Sequence, residues 1–273
     1  MTTRKMVFTD TSLCTGCKAC SVACKAWNDL PVEKTDFVTS YQVQKETTAK
    51  TWTYISFHEK YEAGKVSLRM FKHQCYHCAD PACMKACSSD AIYKTESGYT
   101  LIDHDKCIGC GYCVSNCPWG VPMVDPETSK SYKCTGCIDR VENGMLPACA
   151  HTCQPGAINF GEYNEMIKKA RIRLAEVLEF YPKANLYGEK LMGGTTYIYL
   201  LLDEPEAYGL PENPSTPWSL ILWKNLVHPL GAIAAIGAGL AVAAGVASNA
   251  AMGNYKSKEE HKEEKSAHME GGE

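Results

Sequence analysis

From Gln154 to Glu273 there is no cysteine, although the chain of 273 residues holds 16 of them. All fall between Cys14 and Cys153, in runs of four. A disulfide framework belongs to a shorter secreted chain and does not group its cysteines this way. Excess charge is missing too. Against 31 Asp+Glu stand 28 Lys+Arg, a net charge of −3, which excludes a nucleic-acid surface or a polybasic lipid binder. There is no nucleotide-binding glycine loop and no acid–base pair, so no constellation suits substrate chemistry. Met1–Asp10 has neither a twin-arginine pair nor an apolar h-region, so work outside the cytoplasm is expected to need a partner that carries the chain there.

What is present is a metal-ligand pattern. Run one is Cys14-x2-Cys17-x2-Cys20-x3-Cys24 and run two is Cys75-x2-Cys78-x4-Cys83-x3-Cys87. Run three is Cys107-x2-Cys110-x2-Cys113-x3-Cys117-Pro118, and run four is Cys134-x2-Cys137-x11-Cys149-x3-Cys153. Run three has the bacterial ferredoxin spacing. Three thiolates on a tight loop each reach a different iron of one [4Fe–4S] cubane, and the fourth is expected to open a helix and ligate the neighbouring cluster. Gly16, Gly109, Gly111 and Gly136 let backbone amides approach the sulfurs. Zinc prefers paired C-x2-C knuckles with longer gaps, often with histidine, and fits less well. Sixteen thiolates at four per cubane imply four clusters, with none left for a disulfide or a nucleophile.

The linkers suggest which runs pair. The segment from Cys87 to Cys107 has the shape of the link inside a two-cluster ferredoxin, joining runs two and three. Run one follows a ferredoxin-like opening at Phe8-Thr9-Asp10, and run four closes with Gln154-Pro155-Gly156-Ala157-Ile158, so these two form the second module. Crossing the fourth cysteines gives four expected sites. The first holds Cys14, Cys17, Cys20 and Cys153; the second Cys134, Cys137, Cys149 and Cys24. The third holds Cys75, Cys78, Cys83 and Cys117; the fourth Cys107, Cys110, Cys113 and Cys87. His73, His77 and His104 flank cysteines without being expected to ligate, and Trp119 is expected to pack over a cluster and exclude water.

The expected fold is α+β: two interleaved bacterial-type two-cluster ferredoxin modules and a single C-terminal transmembrane helix. Module A takes residues 1–38 and 118–161, and module B takes 74–117. A β-hairpin insertion fills 39–73, with strands over Thr51–Phe57 and Val66–Phe71. Residues 162–217 form an extension and connector. There, an amphipathic helix over 162–181 places Met166, Ala170, Leu174, Val177 and Leu178 on one face, and a strand runs from Tyr197 to Leu202. The membrane helix occupies 218–253, and a disordered charged tail 254–273. No Asp, Glu, Lys or Arg lies between Lys224 and Lys256, and the 23 residues Pro229–Ala251 would reach about 35 Å against an apolar bilayer core of roughly 30 Å. Trp218 and Trp223 suit an interfacial belt, and His228 the membrane edge. Lys256, Lys258, Lys262 and Lys265 beyond the span place the C-terminus in the cytoplasm and the ferredoxin modules on the periplasmic side of the inner membrane.

These motifs resemble a known family, the four-cluster ferredoxin-like subunits of molybdenum or tungsten bis-pyranopterin oxidoreductases, and within it the beta subunits of membrane-bound formate dehydrogenase. The resemblance runs from about residue 7 to 240. It includes CTGCKACSVACKAWND (14–29), CIGCGYC (107–113), YKCTGCIDRVENGMLPACAHTCQPGAINFG (132–161), GGTTYIYLL (193–201) and YGLP (208–211). It implies a non-catalytic electron-transfer subunit. Its implied partners are a Mo/W catalytic alpha subunit facing the run-one/run-four module and a membrane cytochrome b gamma subunit, with haem b and quinone, facing the other. Subunits of membrane-bound hydrogenase, polysulfide reductase and dimethyl sulfoxide reductase share the cysteine runs and form the alternative. Nitrate reductase beta subunits look similar but replace one run-three cysteine with Trp, giving a three-iron cluster; all four cysteines stand here. Ser88, where ferredoxins usually carry Pro, is a departure that bears on its cluster's potential.

Overall fold

The computed structural model describes residues 4–36, 38, 40–62 and 64–222, and beyond them 226–227, 230–231, 233–234 and 236–250. The chain divides into two units, Met1–Leu220 and Ile221–Glu273. In the first, strands β1 (Lys5–Asp10), β8 (Ile158–Glu162), β9 (Asn185–Tyr187) and β10 (Tyr197–Leu201) form a sheet of order β8-β1-β10-β9. β1 runs antiparallel to β8, with Thr9 opposite Ile158, and parallel to β10, with Val7 opposite Tyr197. Alternation along these strands gives the sheet two apolar faces. Met6, Phe8, Ile198 and Leu200 pack under helix α6 (Tyr163–Leu178) against Ala170 and Val177. On the opposite side Val7, Tyr197, Tyr199 and Leu201 join a core that includes Cys20 and Cys149. The sheet is thus the wall against which the cysteine region is built.

Helix α6 is shorter than the 162–181 expected, and Leu178 lies 39% exposed rather than on the buried stripe. The stripe is completed by Tyr163, Met166, Ile167 and Leu174, and Leu178, the last residue of the helix, lies outside it. The hairpin insertion also differs. Its strands are β2 (Tyr54–Glu62) and β3 (Lys65–His73), paired from Tyr54 opposite His73 to Glu62 opposite Lys65. Pairing runs past the apolar segments because only the root, with Tyr54, Ile55, Phe71 and Lys72, is buried. The tip carries polar residues and exposed Tyr61 and Val66, held by the backbone ladder.

Two further hairpins link the cysteine runs. β4 (Ile92–Lys94) and β5 (Thr100–Ile102) lie between runs two and three, and β6 (Met123–Asp125) and β7 (Lys130–Tyr132) between runs three and four. Short helices carry the later cysteines of each run. Helix α1 (Ala19–Trp27) holds both Cys20 and Cys24. In α2 (Ala82–Lys85), α3 (Tyr112–Asn116) and α5 (Ala148–His151), Cys83, Cys113 and Cys149 lie inside the helix, and Cys87, Cys117 and Cys153 at or just past its end. The expectation that the fourth cysteine opens a helix is therefore corrected: the helix starts before the third. An i,i+4 pair lies on one helix face about 6 Å apart, which sets two thiols side by side along one turn. Helix α1 packs against α5, and α2 against α3. Helix α4 (Ile138–Glu142) follows Cys137.

At the unit boundary lies α7 (Trp218–Leu222), and residues 236–250 of the second unit are helical. Ile236, Leu240, Val242 and Val246 are exposed there. Among the described residues no helix is long and apolar enough to cross a membrane. Of the span expected over 218–253, residues 223–225, 228–229, 232, 235 and 251–253 lie outside the described residues, as does the tail 254–273.

Candidate functional site

Runs two and four begin on loops that turn a backbone amide toward sulfur. Gly136, at φ 68°, donates its N–H to Cys134 Sγ at 3.3 Å. In run two the glycine position is His77, at φ 48°, whose N–H meets Cys75 Sγ at 3.4 Å. Its imidazole is buried, and Nδ1 accepts the Thr100 N–H at 3.0 Å, which supports the left-handed turn that glycine adopts without strain. Ala91 N–H reaches Cys87 Sγ at 3.3 Å and Ser131 N–H reaches Cys107 Sγ at 3.4 Å. Ser89, next after Ser88, places its Oγ 3.7 Å from Cys87 Sγ.

The thiols gather in four groups. Cys14, Cys17, Cys20 and Cys153 line one cavity, and Cys87, Cys107, Cys110 and Cys113 another. Cys24 faces Cys134, Cys149 and Cys137 rather than its own run. Cys78 faces Cys75, Cys83 and Cys117. In each group three cysteines come from one run and the fourth from its partner run. The groups also adjoin in sequence: helix α1 with Cys20 packs on α5 with Cys149, Cys24 and Cys134 of the second share a buried cluster with Cys75 of the third, and α2 with Cys83 packs on α3 with Cys113. Exposed cysteines occur in the two end groups, at Cys17 and Cys110.

Burial dominates the electrostatics. It pushes the thiols of Cys20, Cys117 and Cys134 up to about 11 and those of Cys83 and Cys137 up to about 12, and it raises Cys24 and Cys78 further. Neighbouring thiols add to the effect. Such groups keep their protons until a metal displaces them. Buried donors without a partner among the described residues include Tyr76 Oη and Tyr99 Oη, each on a side chain close to these cysteines. Thiols in fours, sulfur-directed amides and orphaned donors fit a cubane, which spreads its four thiolates more widely than one ion does. Among the described residues no group of three or more His, Cys, Asp or Glu is set to hold a single metal ion. Tetrahedral zinc at about 2.3 Å from sulfur would need such a group.

His73, His77 and His104 join none of the four groups. His73 stacks on Tyr54 at 4.6 Å with Nε2 2.8 Å from Ser56 Oγ, and His104 Nε2 meets the Ser131 carbonyl at 3.1 Å. Trp119 stacks on Tyr76 at 4.2 Å, donates Nε1–H to Tyr187 Oη at 2.9 Å, and packs against the buried cluster of Cys24, Cys75 and Cys134. Sequence reasoning missed the lysines. Lys94 Nζ donates to the Cys78 carbonyl at 2.7 Å and Lys130 Nζ to the Cys107 carbonyl at 2.6 Å. Buried Lys133 donates to the carbonyls of Thr100 and Cys134, and Lys72 is buried beside Cys20 with no hydrogen bond from Nζ. Their one sequence signal is lysine within a few residues of a cysteine run, a pattern any exposed lysine also gives.

The chain matches the 4Fe-4S dicluster domain family over residues 66–163. It is 42% identical over 232 residues to the nitrate-inducible formate dehydrogenase iron-sulfur subunit of Escherichia coli (strain K12), covering 83% of this chain and 79% of that protein. To the formate dehydrogenase iron-sulfur subunit of Haemophilus influenzae it is 42% identical over 231 residues, 82% of this chain and 74% of that one. To the B component of the anaerobic dimethyl sulfoxide reductase of Escherichia coli (strain K12) it is 39% identical over 171 residues, 62% of this chain and 78% of the other.

Proposed function

The chain belongs to the formate dehydrogenase iron-sulfur subunits, and from that membership we propose that it relays electrons from a formate-oxidising Mo/W catalytic subunit to a membrane cytochrome b and quinone. It is the electron-transfer subunit of a multi-subunit oxidoreductase and carries four [4Fe–4S] clusters. A bound cubane supplies reversible one-electron storage. The observation that carries the reading is the linear succession of the four cysteine groups, joined by the packing of α1 on α5, the shared burial of Cys24, Cys134 and Cys75 and the packing of α2 on α3, and ending at exposed Cys17 and Cys110. A wire needs that arrangement: insulated middle groups, and one group near the surface at each end.

The ligand sets follow the grouping, with Cys24, Cys87, Cys117 and Cys153 each serving the site of the partner run. The first site faces the catalytic subunit and the fourth the membrane subunit. Trp119 and Trp52 exclude water around the middle sites. This chain performs no substrate chemistry itself, and residues 218–253 anchor it in the inner membrane with the ferredoxin modules periplasmic. The dimethyl sulfoxide reductase alternative is less favoured, because that relative's match covers 62% of this chain against 83%.

The test is to purify the complex anaerobically and identify its large subunit. Formate should reduce a viologen dye with the complex and not with the isolated, cluster-loaded chain. Dye reduction by the chain alone would overturn the non-catalytic role, and a large subunit inert toward formate would overturn the donor.

A further inference from the structure

Lys72 lies at the root of the hairpin, opposite Ile55 in the β2–β3 register. It is 2% exposed, and Nζ has no hydrogen-bond partner among the described residues. This sets it apart from Lys94, Lys130 and Lys133, whose ammonium groups are bound by carbonyl oxygens. Its side chain lines the cavity of Cys14, Cys17, Cys20 and Cys153, and its neighbours Ile55 and Phe71 share one buried cluster with Cys20 of the first group and Cys149 of the second. A buried ammonium without hydrogen bonds persists only where strong negative charge faces it. Four thiolates around each cubane provide that charge, and each added electron increases it.

We propose that Lys72 is a buried countercharge shared by the first and second sites, raising the reduction potential of both clusters. The inference rests on the cysteines being cluster ligands. One electron entering either cluster from the catalytic partner adds one negative charge close to the ammonium, so the reduced form gains more from Lys72 than the oxidised form does. The third and fourth sites have their own neighbouring lysines and serve as internal controls.

The experiment uses the intact complex, with Lys72→Met, Lys72→Gln and Lys72→Arg compared with the unsubstituted protein in redox titrations followed by electron paramagnetic resonance. Cysteine variants of each run assign the signals. Met and Gln should lower the potentials of the first and second sites by at least a tenfold change in the reduced-to-oxidised ratio, about 59 mV for one electron. The third and fourth should stay in place, and Arg should retain most of the unsubstituted potentials. Unchanged first and second sites, a shift confined to one of them, or an equal shift in all four would overturn the proposal. If Met and Gln leave the first two sites without clusters, Arg decides. Loading with Arg supports a requirement for charge, whereas loss with all three makes Lys72 a shape-filling residue and overturns the role. Failure of the underlying reading is distinct, since the unsubstituted protein would then lack the cluster signals.

Discussion

The thiol of Cys24 sits with that of Cys134 in one buried cluster, although Cys24 shares helix α1 with Cys20. After burial, Cys134 is the strongest influence raising the Cys24 thiol. Cys24→Ser should therefore alter the same resonance signal as Cys137→Ser, and leave the one altered by Cys17→Ser. By the same geometry Cys117→Ser should match Cys78→Ser. If Cys24→Ser instead matches Cys17→Ser, the crossed ligation is wrong.

The grouping of the runs was legible in the sequence, because the ferredoxin-like opening, link and close mark which runs belong together; the helix placement was not, since each helix opens before the third cysteine rather than at the fourth. The parallel pairing of β1 with β10 was not, since register between distant strands depends on contacts that local pattern does not encode. Lys72 escaped for a related reason. The apolar segment Val66–Phe71 reads as a complete strand, yet the ladder continues to His73 and turns the next side chain into the core. A lysine letter carries no mark of burial; only the fold places it between thiols.

Gly109 offers a test of the loop geometry at the fourth site. It has φ 69°, and a Cβ there would lie 2.2 Å from the Ser129 carbonyl oxygen. Backbone cannot swing aside as a side chain can, and the left-handed conformation alone costs about 1–2 kcal/mol for a residue with Cβ. Gly109→Ala should lose the fourth cluster while the first three load, measured by spin quantification of the reduced complex. Full loading of all four would show that the Ser129 loop yields easily.

Asp203 ties the hairpin to the sheet region. Its carboxylate meets Lys60 Nζ at 2.7 Å and lies 3.7 Å from Arg69. Burial alone would raise its pKa, but the Lys60 hydrogen bond and the two cations hold it below the ordinary value. A depressed carboxyl contributes stability that is present above the unfolded value of about 3.9 and is lost as pH falls through the folded value. Asp203→Asn should cost about 1.5–3 kcal/mol at neutral pH, as for a hydrogen bond to a charged group. Denaturant midpoints of the two proteins should converge below about pH 4; a constant gap through that range would contradict the ion-pair origin.

The proposed topology puts the C-terminus in the cytoplasm. Of the 23 residues Pro229–Ala251, 14 are Ala or Gly, which suits close packing against a neighbouring helix more than strong insertion alone. A green fluorescent protein joined after Glu273 should fluoresce, and alkaline phosphatase at the same place should be inactive. The reverse pattern would put the ferredoxin modules in the cytoplasm.

The central claim is that all 16 cysteines serve four cubanes. The most direct measurement is iron and acid-labile sulfide per chain after anaerobic reconstitution, with Mössbauer spectra of the same sample. About sixteen of each, four for every cluster, in spectra of four-iron cubanes is the expected result. Stoichiometric zinc, or a strong three-iron signal in protein never exposed to oxidant, would contradict it.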